Sequence, residues 1–212
     1  MSRGLGDVYK RQALKRLADI VGGLAGCVIT GILFLFAAPA IYINSPGPIF
    51  FSQTRIGKNG RKFKIYKFRS MYMDAEERKK ELMKQNKVKD GMMFKMDNDP
   101  RIIKGIGNFI RKTSIDEFPQ FFNVLIGDMS IVGPRPFPAE VYREFSSYYK
   151  GFLRLVVRPG ITGLAQLNVP RNTNPGQVIK NDLYYIRRLS LYRDFNICLL
   201  YTSPSPRDIS GS

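Results

Sequence analysis

The sequence predicts an α/β protein with a small sheet or hairpin, surrounding amphipathic helices and an N-terminal re-entrant membrane helix. Three observations predict this fold class: an uncharged apolar run from Ile20 to Ile43, two strand-like segments around a Lys-Asn-Gly turn, and later segments with apolar residues at helical spacing. With 212 residues and 44% hydrophobic content, the chain can bury one ordinary core. We therefore expect one domain with a membrane appendage.

The predicted membrane helix covers residues 13–43. Its uncharged run exceeds the roughly 20 apolar residues that a membrane span needs. Pro39, which follows Ala38, removes a backbone hydrogen bond inside the run, so we expect the helix to bend there. A simple transmembrane anchor and a cleaved signal peptide are the alternatives, although the run is long for a signal peptide and lacks a clear cleavage site.

Cations flank the apolar run on both sides. Lys15 and Arg16 precede it. Four cations follow it: Arg55, Lys58, Arg61 and Lys62. Because cationic flanks are typical of the cytoplasmic side of a membrane, a re-entrant helix would leave both ends there. Asp19, at the entry to the run, is expected to pair with Lys15 or Arg16.

Residues 44–198 form the predicted folded domain, which begins with a hairpin. IFFSQ and FKIYKFRSM are strand-like, with a turn at Lys58-Asn59-Gly60 between them. The segment from Ala75 to Lys89 alternates acids and bases and predicts a solvated helix. Residues 1–12 and 199–212 resemble translated sequencing-adaptor tails, and we expect both to lie outside the fold.

Adjacent carboxylates, Asp116 and Glu117, stand at the head of a segment with an apolar stripe. The stripe is expected on a core or membrane surface and consists of Phe118, Phe121, Phe122 and Leu125. The spacing of Ser114 and Glu117 fits a capping box, and acids in a first helical turn also favour the helix dipole. Helix capping and catalysis therefore both explain the acid pair at this stage.

The C-terminal part predicts a turn followed by a helix. VVRPGITGLAQLN has turn chemistry at Pro159-Gly160, and NDLYYIRRLSLYRDF has the pattern of one helix. Its arginines stand beside tyrosines and leucines, which suits a helix at a lipid interface. An ordinary packing helix explains the same pattern.

The composition indicates an anionic partner and excludes several kinds of catalytic site. Lys and Arg number 34 against 17 Asp and Glu, so the surface should attract nucleic acid, acidic lipids or a phosphorylated substrate. The sequence contains no histidine, which excludes Ser-His-Asp and Cys-His nucleophiles and histidine-ligated zinc. Group transfer would therefore rest on carboxylates, lysines, arginines or tyrosines.

Five segments resemble, in their order, the bacterial sugar transferase family, the small monotopic polyprenol-phosphate phosphoglycosyl transferases. They are LKRLADIVGG, FKIYKFRSM, TSIDEFPQFFNVLIGDMSIVGPRP, VRPGITGLAQ and NDLYYI. The resemblance implies transfer of a sugar 1-phosphate from a UDP-sugar to a polyprenol phosphate, which initiates a lipid-linked exopolysaccharide, capsule or glycoprotein glycan. It places a catalytic domain, residues 44–198, on the cytoplasmic face of the bacterial inner membrane.

The resemblance also implies the roles of the acid pair. Asp116 would be the nucleophile, and Glu117 would help to hold Mg2+. A carboxylate that attacks phosphorus forms an acyl phosphate, and a site without histidine is adequate because phosphoryl transfer depends mainly on charge neutralisation. The expected partners are the UDP-sugar, the polyprenol phosphate and the bilayer, with no nucleic acid; a homo-oligomer is compatible with the sequence.

Five further residues are expected to serve substrate binding: Lys67, Arg111, Arg135, Arg171 and Asp182. The four cations would contact phosphate, although solvated or lipid-facing charges are the alternative for each. Arg135, flanked by two prolines, is the best-placed clamp because arginine binds phosphate with two parallel hydrogen bonds. Asp182 would support the metal, orient an arginine, or simply lie on a helix surface.

Two positions depart from the family pattern. Pro170 replaces the glycine that usually precedes the arginine matched by Arg171, and Ala38 replaces a common serine before Pro39. The competing interpretation is a basic membrane-anchored module without catalysis, which gathers anionic lipids or recruits glycan enzymes. A nucleic-acid binder is favoured by charge alone.

Overall fold

The computed structural model describes residues 2–78, 99–138, 151–168 and 175–202. The chain forms two compact units. The first unit comprises Met1–Ala25, Gln53–Ile65 and Gln120–Ser212; the second comprises Gly26–Ser52 and Tyr66–Pro119. Both contain helices and short strands, which confirms the mixed α/β class and the long apolar N-terminal helix.

That helix, α1, runs from Ser2 to Asn44 and includes Pro39 in its interior. By length and composition, Gln12–Asn44 could cross a membrane. The helix begins before residue 13, and its helical structure continues through Pro39. The bend at Ala38 and Pro39 and the adaptor origin of residues 1–12 stay predictions.

The N-terminal end of α1 is fixed to the first unit by polar contacts. Asp19, which is buried, accepts hydrogen bonds from the Ser130 hydroxyl at 2.9 Å and the Ile131 N–H at 3.0 Å. The expected pairing of Asp19 with Lys15 or Arg16 is therefore wrong. Those two cations bind instead to acceptors elsewhere in the unit, because the folded chain brings a carboxylate and free carbonyls to this end of the helix.

Lys15 is the centre of one such contact group. Its Nζ lies 2.5 Å from Asp194 Oδ2 and 3.0 Å from the Val132 carbonyl. The Tyr185 hydroxyl donates to Asp194 Oδ1 at 2.7 Å. Burial, together with the Asp194 carboxylate, raises the pKa of Tyr185, so this hydroxyl keeps its proton and remains a donor.

The predicted hairpin is confirmed. Strands β1 (Phe50–Ile56) and β2 (Lys62–Phe68) form a two-stranded sheet, joined by a 3-10 turn at Lys58–Gly60. A connection this short excludes a parallel crossover, which needs about a dozen residues. Asn59 and Gly60 both have positive φ, so the Asn-Gly pair suits the turn. Of the helix expected from Ala75 to Lys89, residues 75–78 are helical and the rest lies outside the described residues.

The second unit packs the hairpin base against α1. Its core contains five buried residues: Ala37, Ile41, Phe68, Ile103 and Ile110. Three aromatic rings, Phe34, Phe50 and Phe68, stack beside it with centroids 5.4–6.5 Å apart. Helix α2 (Ile106–Lys112) follows, and a 3-10 turn at Ile115–Glu117 ends the unit.

The first unit is built on a parallel strand pair that the sequence pattern does not reveal. Strands β3 (Ser130–Val132) and β4 (Gly160–Thr162) pair with Ser130 opposite Gly160 and Val132 opposite Thr162. The predicted turn at Pro159-Gly160 is therefore wrong in part, since Gly160 begins a strand. A Cβ atom at Gly133 would lie 2.6 Å from the Arg158 carbonyl, so glycine permits the backbones to approach here.

Helices surround this strand pair: α3 (Gln120–Ile126), α4 (Leu164–Asn168), α5 (Pro175–Arg187) and α6 (Leu191–Thr202). A 3-10 helix spans Gly151–Val156. The single helix predicted for NDLYYIRRLSLYRDF is wrong, because the helical structure is interrupted between the end of α5 at Arg187 and the start of α6 at Leu191. Ser190 explains the restart, since its Oγ accepts a hydrogen bond from the Arg193 N–H at 3.3 Å. Residues 199–202 continue α6, and the adaptor origin of residues 199–212 stays a prediction.

Candidate active site

The acid pair lies in a tight turn rather than at the start of a regular helix. Ser114 takes the left-handed conformation (φ 57°, ψ 17°) and makes no side-chain cap hydrogen bond. Its carbonyl accepts the Glu117 N–H at 3.1 Å. The predicted capping box is therefore wrong: the left-handed residue turns the chain, and the Glu117 side chain has another partner.

That partner is Lys67 on β2. Lys67 Nζ lies 2.7 Å from Glu117 Oε1 and 3.9 Å from Asp116 Oδ2, and all three side chains are mostly buried. The structure thus brings together three of the residues that the sequence nominated. The Lys67 cation beside two carboxylates offsets their repulsion and supplies positive charge where a phosphate oxygen would sit.

The segment after the acid pair is tied to the apolar helix. The Thr30 hydroxyl lies 3.1 Å from the Phe118 carbonyl and 2.6 Å from the Gly26 carbonyl, and shares its proton between them. Within the second unit, the acids therefore stand next to the segment expected to enter the membrane. Sequence reasoning missed Thr30, although a threonine in the middle of an apolar run was a signal.

The apolar stripe after the acids is only partly buried. The buried residues of α3 are Gln120, Asn123 and Val124, whereas Phe122 is half exposed. Asn123 donates its amide to the Lys64 carbonyl at 2.7 Å, which fixes α3 to β2 within the first unit. Of the two expected positions for the aromatic stripe, the core is thus excluded for Phe122.

Arg111 is exposed on α2. In the second unit it acts electrostatically on Asp99: a hydrogen bond from Arg101 and the charges of Arg101 and Arg111 hold the pKa of Asp99 below its usual value. Asp99 accepts from Arg101 Nε at 2.8 Å and Nη2 at 2.6 Å, so it is a structural carboxylate. The expected contact of Arg111 with phosphate stays a prediction.

Arg135 and Asp182 belong to the first unit. Arg135 is exposed between two buried prolines. Asp182 is only 2% exposed and pairs with Arg154 at 2.7 Å, so a helix-surface position is wrong. The partner, Arg154, is a residue that sequence reasoning missed. An arginine within the apolar stretch GFLRLVV was the available signal. That Asp182 orients an arginine or supports the metal stays a prediction. Arg171 and Pro170 lie outside the described residues.

The buried Asp182 predicts a specific pH dependence of stability. Burial raises its pKa to about 6, although Arg154 lowers it in part. Because the folded pKa exceeds the unfolded value, the stabilisation is complete below about pH 4 and is lost as the pH rises through about 6. Asp182→Asn should remove this slope, which corresponds to about 3 kcal/mol at most. Thermal unfolding in detergent at several pH values measures it.

A matched control is Glu77→Gln, which changes an exposed carboxylate of the second unit. This variant should retain the wild-type pH slope. If Asp182→Asn also retained it, Asp182 would not be the group that titrates in this range.

A family model described as bacterial sugar transferase matches residues 10–204. A galactosyl transferase CpsE from Streptococcus agalactiae is 49% identical over 91% of this chain and 42% of its own length. A UDP-glucose:undecaprenyl-phosphate glucose-1-phosphate transferase from Escherichia coli is 40% identical over 88% of this chain and 39% of its own length.

A third relative differs in size. The exopolysaccharide production protein PSS from Rhizobium leguminosarum is 38% identical over 87% of this chain and 90% of its own length. The chain thus spans about two fifths of the first two relatives and nearly all of the third.

Proposed function

Because this chain belongs to the bacterial sugar transferase family, we propose that it transfers a sugar 1-phosphate from a UDP-sugar to a polyprenol phosphate. The product, a polyprenol diphosphate sugar, initiates a lipid-linked exopolysaccharide, capsule or glycoprotein glycan. The name of the Escherichia coli relative specifies this reaction for glucose. The observation that carries the proposal is the cluster of Lys67, Asp116 and Glu117 next to the apolar helix.

The reaction proceeds in two displacements. An Asp116 carboxylate oxygen attacks the phosphorus that bears the sugar, and the bond from this phosphorus to the bridging oxygen breaks, so UMP leaves with that oxygen. A phosphate oxygen of the polyprenol phosphate then attacks the same phosphorus and releases the Asp116 carboxylate. No proton needs to move to a histidine, which this chain lacks.

Lys67 has a defined part in both displacements. Its Nζ lies 3.9 Å from Asp116 Oδ2, close enough to stabilise negative charge on the nonbridging oxygens as the phosphorus is attacked. Its contact with Glu117 holds it in place between attacks. Electrostatic stabilisation of this kind is the main requirement of phosphoryl transfer.

The residues of the cluster fit a magnesium ion. Mg2+ takes oxygen ligands, keeps several waters and is commonly bound by one or two carboxylates together with substrate phosphates. Among the described residues, no group of three or more acidic or cysteine ligands occurs, so Glu117 together with diphosphate oxygens is the expected donor set. When bound, the ion would neutralise charge on the diphosphate.

The lipid substrate calls for a position at the inner membrane, and we propose that α1 is re-entrant with the catalytic residues on the cytoplasmic face. Two observations support membrane contact. Only 17% of the most apolar 18-residue stretch of α1 is buried. In the first unit, α6 exposes a set of large apolar side chains: Leu191, Tyr192, Phe195, Leu199 and Leu200.

A mass measurement tests the proposed chemistry. Purified protein in detergent with Mg2+ and each of several UDP-sugars, without lipid acceptor, should gain the mass of one sugar phosphate and release one UMP per adduct. Addition of polyprenol phosphate should discharge the adduct. If no donor gives an adduct while lipid product still forms, the covalent route is wrong; if neither forms, the transferase proposal fails.

Cysteine accessibility tests the re-entrant helix. Single cysteines at residues 12 and 58, in a chain with Cys27 and Cys198 replaced by serine, flank the apolar segment. In right-side-out vesicles, a membrane-impermeant maleimide should label neither cysteine before lysis and both after it. Labelling of only one of them before lysis would show a helix that crosses the membrane.

A further inference from the structure

The loop that carries Arg135 is held by hydrogen bonds to its backbone carbonyls. Four consecutive carbonyls, from Pro134 to Phe137, each accept a hydrogen bond within the first unit. The donors to Pro134 and Phe137 are the backbone N–H groups of Gly160, at 2.9 Å, and Ile56, at 3.2 Å. Two arginine side chains serve the carbonyls between them.

Those arginines are Arg55 and Arg154. Arg55 Nη1 donates to the Pro136 carbonyl at 3.2 Å, and Arg154 Nη2 donates to the Arg135 carbonyl at 2.9 Å. The guanidinium carbon of Arg154 also lies 3.9 Å from the centre of the Phe137 ring. Arg154 therefore contacts the loop on both sides of Pro136, whereas the side chain of Arg135 is exposed.

From this geometry we infer that the buried Arg154–Asp182 pair positions Arg135 to bind a phosphate group of UDP, with Arg154 and Asp182 as positioning residues that do not touch the ligand themselves. The inference rests on the proposed function, because in that reaction the protein must bind the UDP part of the donor. Arg154 is 3% and Asp182 2% exposed, so neither side chain can meet a large ligand directly.

The burial of this pair is difficult to explain by stability alone. Removing two charges from water has a desolvation penalty that a buried ion pair often only balances, and apolar residues of similar volume frequently give equal or higher stability. What the pair supplies instead is geometry: Asp182 Oδ2 lies 2.7 Å from the same Nη2 atom that donates to the Arg135 carbonyl. A planar guanidinium paired in this way fixes the direction of that carbonyl, and hence the point and direction from which the Arg135 side chain leaves the backbone.

The test is a double-mutant cycle on affinity for UDP with Mg2+, measured by calorimetry on the full chain in detergent. Arg154→Met with Asp182→Leu replaces the pair by apolar side chains, which avoids a buried unpaired charge. This replacement should weaken UDP binding about tenfold, within the range for coupled neighbours. With Arg135→Ala already present, the same replacement should change the affinity less than twofold. A purely structural pair would give equal losses in both backgrounds, which would overturn the inference.

A second variant protects the test against misfolding. Arg154→Lys keeps a positive charge for Asp182 but lacks the planar group over Phe137, and it enters the same cycle if the apolar pair does not fold. Unchanged UDP affinity in a folded Arg154→Lys protein, or equal losses with and without Arg135, would also overturn the inference. If the wild-type protein did not bind UDP, this result would also overturn the inference.

Arg158→Met is the matched control. Arg158 also donates to a backbone carbonyl of the first unit, that of Gly127 at 2.8 Å, but in a different loop. Its replacement should have the same effect on UDP affinity with and without Arg135; coupling as large as that of Arg154 would contradict a specific role for the Arg154–Asp182 pair. Sugar-phosphate transfer by the wild type is assayed in parallel, and its absence alongside a coupled UDP cycle would refute the proposed reaction while leaving the positioning role supported.

Discussion

Asp116→Asn is expected to eliminate the sugar-phosphate adduct and to lower the turnover of lipid-linked product by ~10³-fold or more, since loss of a covalent nucleophile is among the largest effects known for enzymes. An amide has nearly the shape of the carboxylate but lacks its anionic oxygen, so it cannot displace UMP. The fold should tolerate the change, because Lys67 keeps its 2.7 Å contact with Glu117. Radiolabelled transfer and intact mass measure the two effects.

The control for this variant is membrane association. A catalytic aspartate predicts that Asp116→Asn still sediments with vesicles containing anionic lipids, because α1 and the surface cations are unchanged. If transfer continued at the wild-type rate with membrane binding intact, Asp116 would not be the nucleophile. If neither wild type nor variant transferred anything while both gathered anionic lipids, the non-catalytic module would be the better interpretation.

The hairpin could be predicted because its signals are local. Lys58, Asn59 and Gly60 specify the turn, and the flanking strands start within a few residues of it. The pairing of β3 with β4 could not be predicted, since each strand has three residues and the partners lie 30 positions apart, as Ser130 and Gly160 show. Three residues are too few to display an alternating pattern. The break before α6 could have been predicted, because Ser190 is a residue type that favours the start of a helix.

The active-site residues could be predicted from the sequence only through the resemblance to the family. Lys67 and Glu117 are 50 positions apart, and no local pattern connects a strand lysine with a carboxylate in a later turn. The residues that sequence reasoning missed, Thr30 and Arg154, are polar groups inside apolar stretches. Their partners are a distant carbonyl and a distant carboxylate, which become neighbours only when the chain folds.

The two cations before the apolar run, Lys15 and Arg16, lie within α1 and are engaged inside the folded protein. Lys15 pairs with Asp194. Arg16 Nη1 and Nη2 donate to the carbonyls of Val124 and Leu125, at 2.7 and 2.9 Å. Cations engaged inside the protein do not report which side of a membrane they face. The cations after the run, such as Lys58 and Arg61, are exposed and therefore still indicate the side of the membrane that this flank faces.

Glu117→Gln is expected to lower turnover by about 10²-fold at ordinary Mg2+ concentrations, with partial recovery as Mg2+ is raised, because the amide keeps one neutral oxygen ligand in place of a carboxylate. A Mg2+ titration of initial rates measures the shift toward higher concentrations. The Lys67 contact complicates this variant, since Lys67 Nζ would lose its 2.7 Å anionic partner and turn toward Asp116, now 3.9 Å away.

Lys67→Met separates the two effects. It removes the cation but leaves both carboxylates, so its turnover should fall without a shift of the Mg2+ dependence toward higher concentrations. Glu77→Gln, at an exposed carboxylate, should leave both the rate and the Mg2+ dependence at wild-type values. A Glu117→Gln protein with a wild-type Mg2+ titration would show that Glu117 is not a ligand, and its role would then be to hold Lys67 beside the nucleophile. The shape of the Mg2+ curve, rather than the loss of rate, therefore distinguishes a metal ligand from a partner of Lys67.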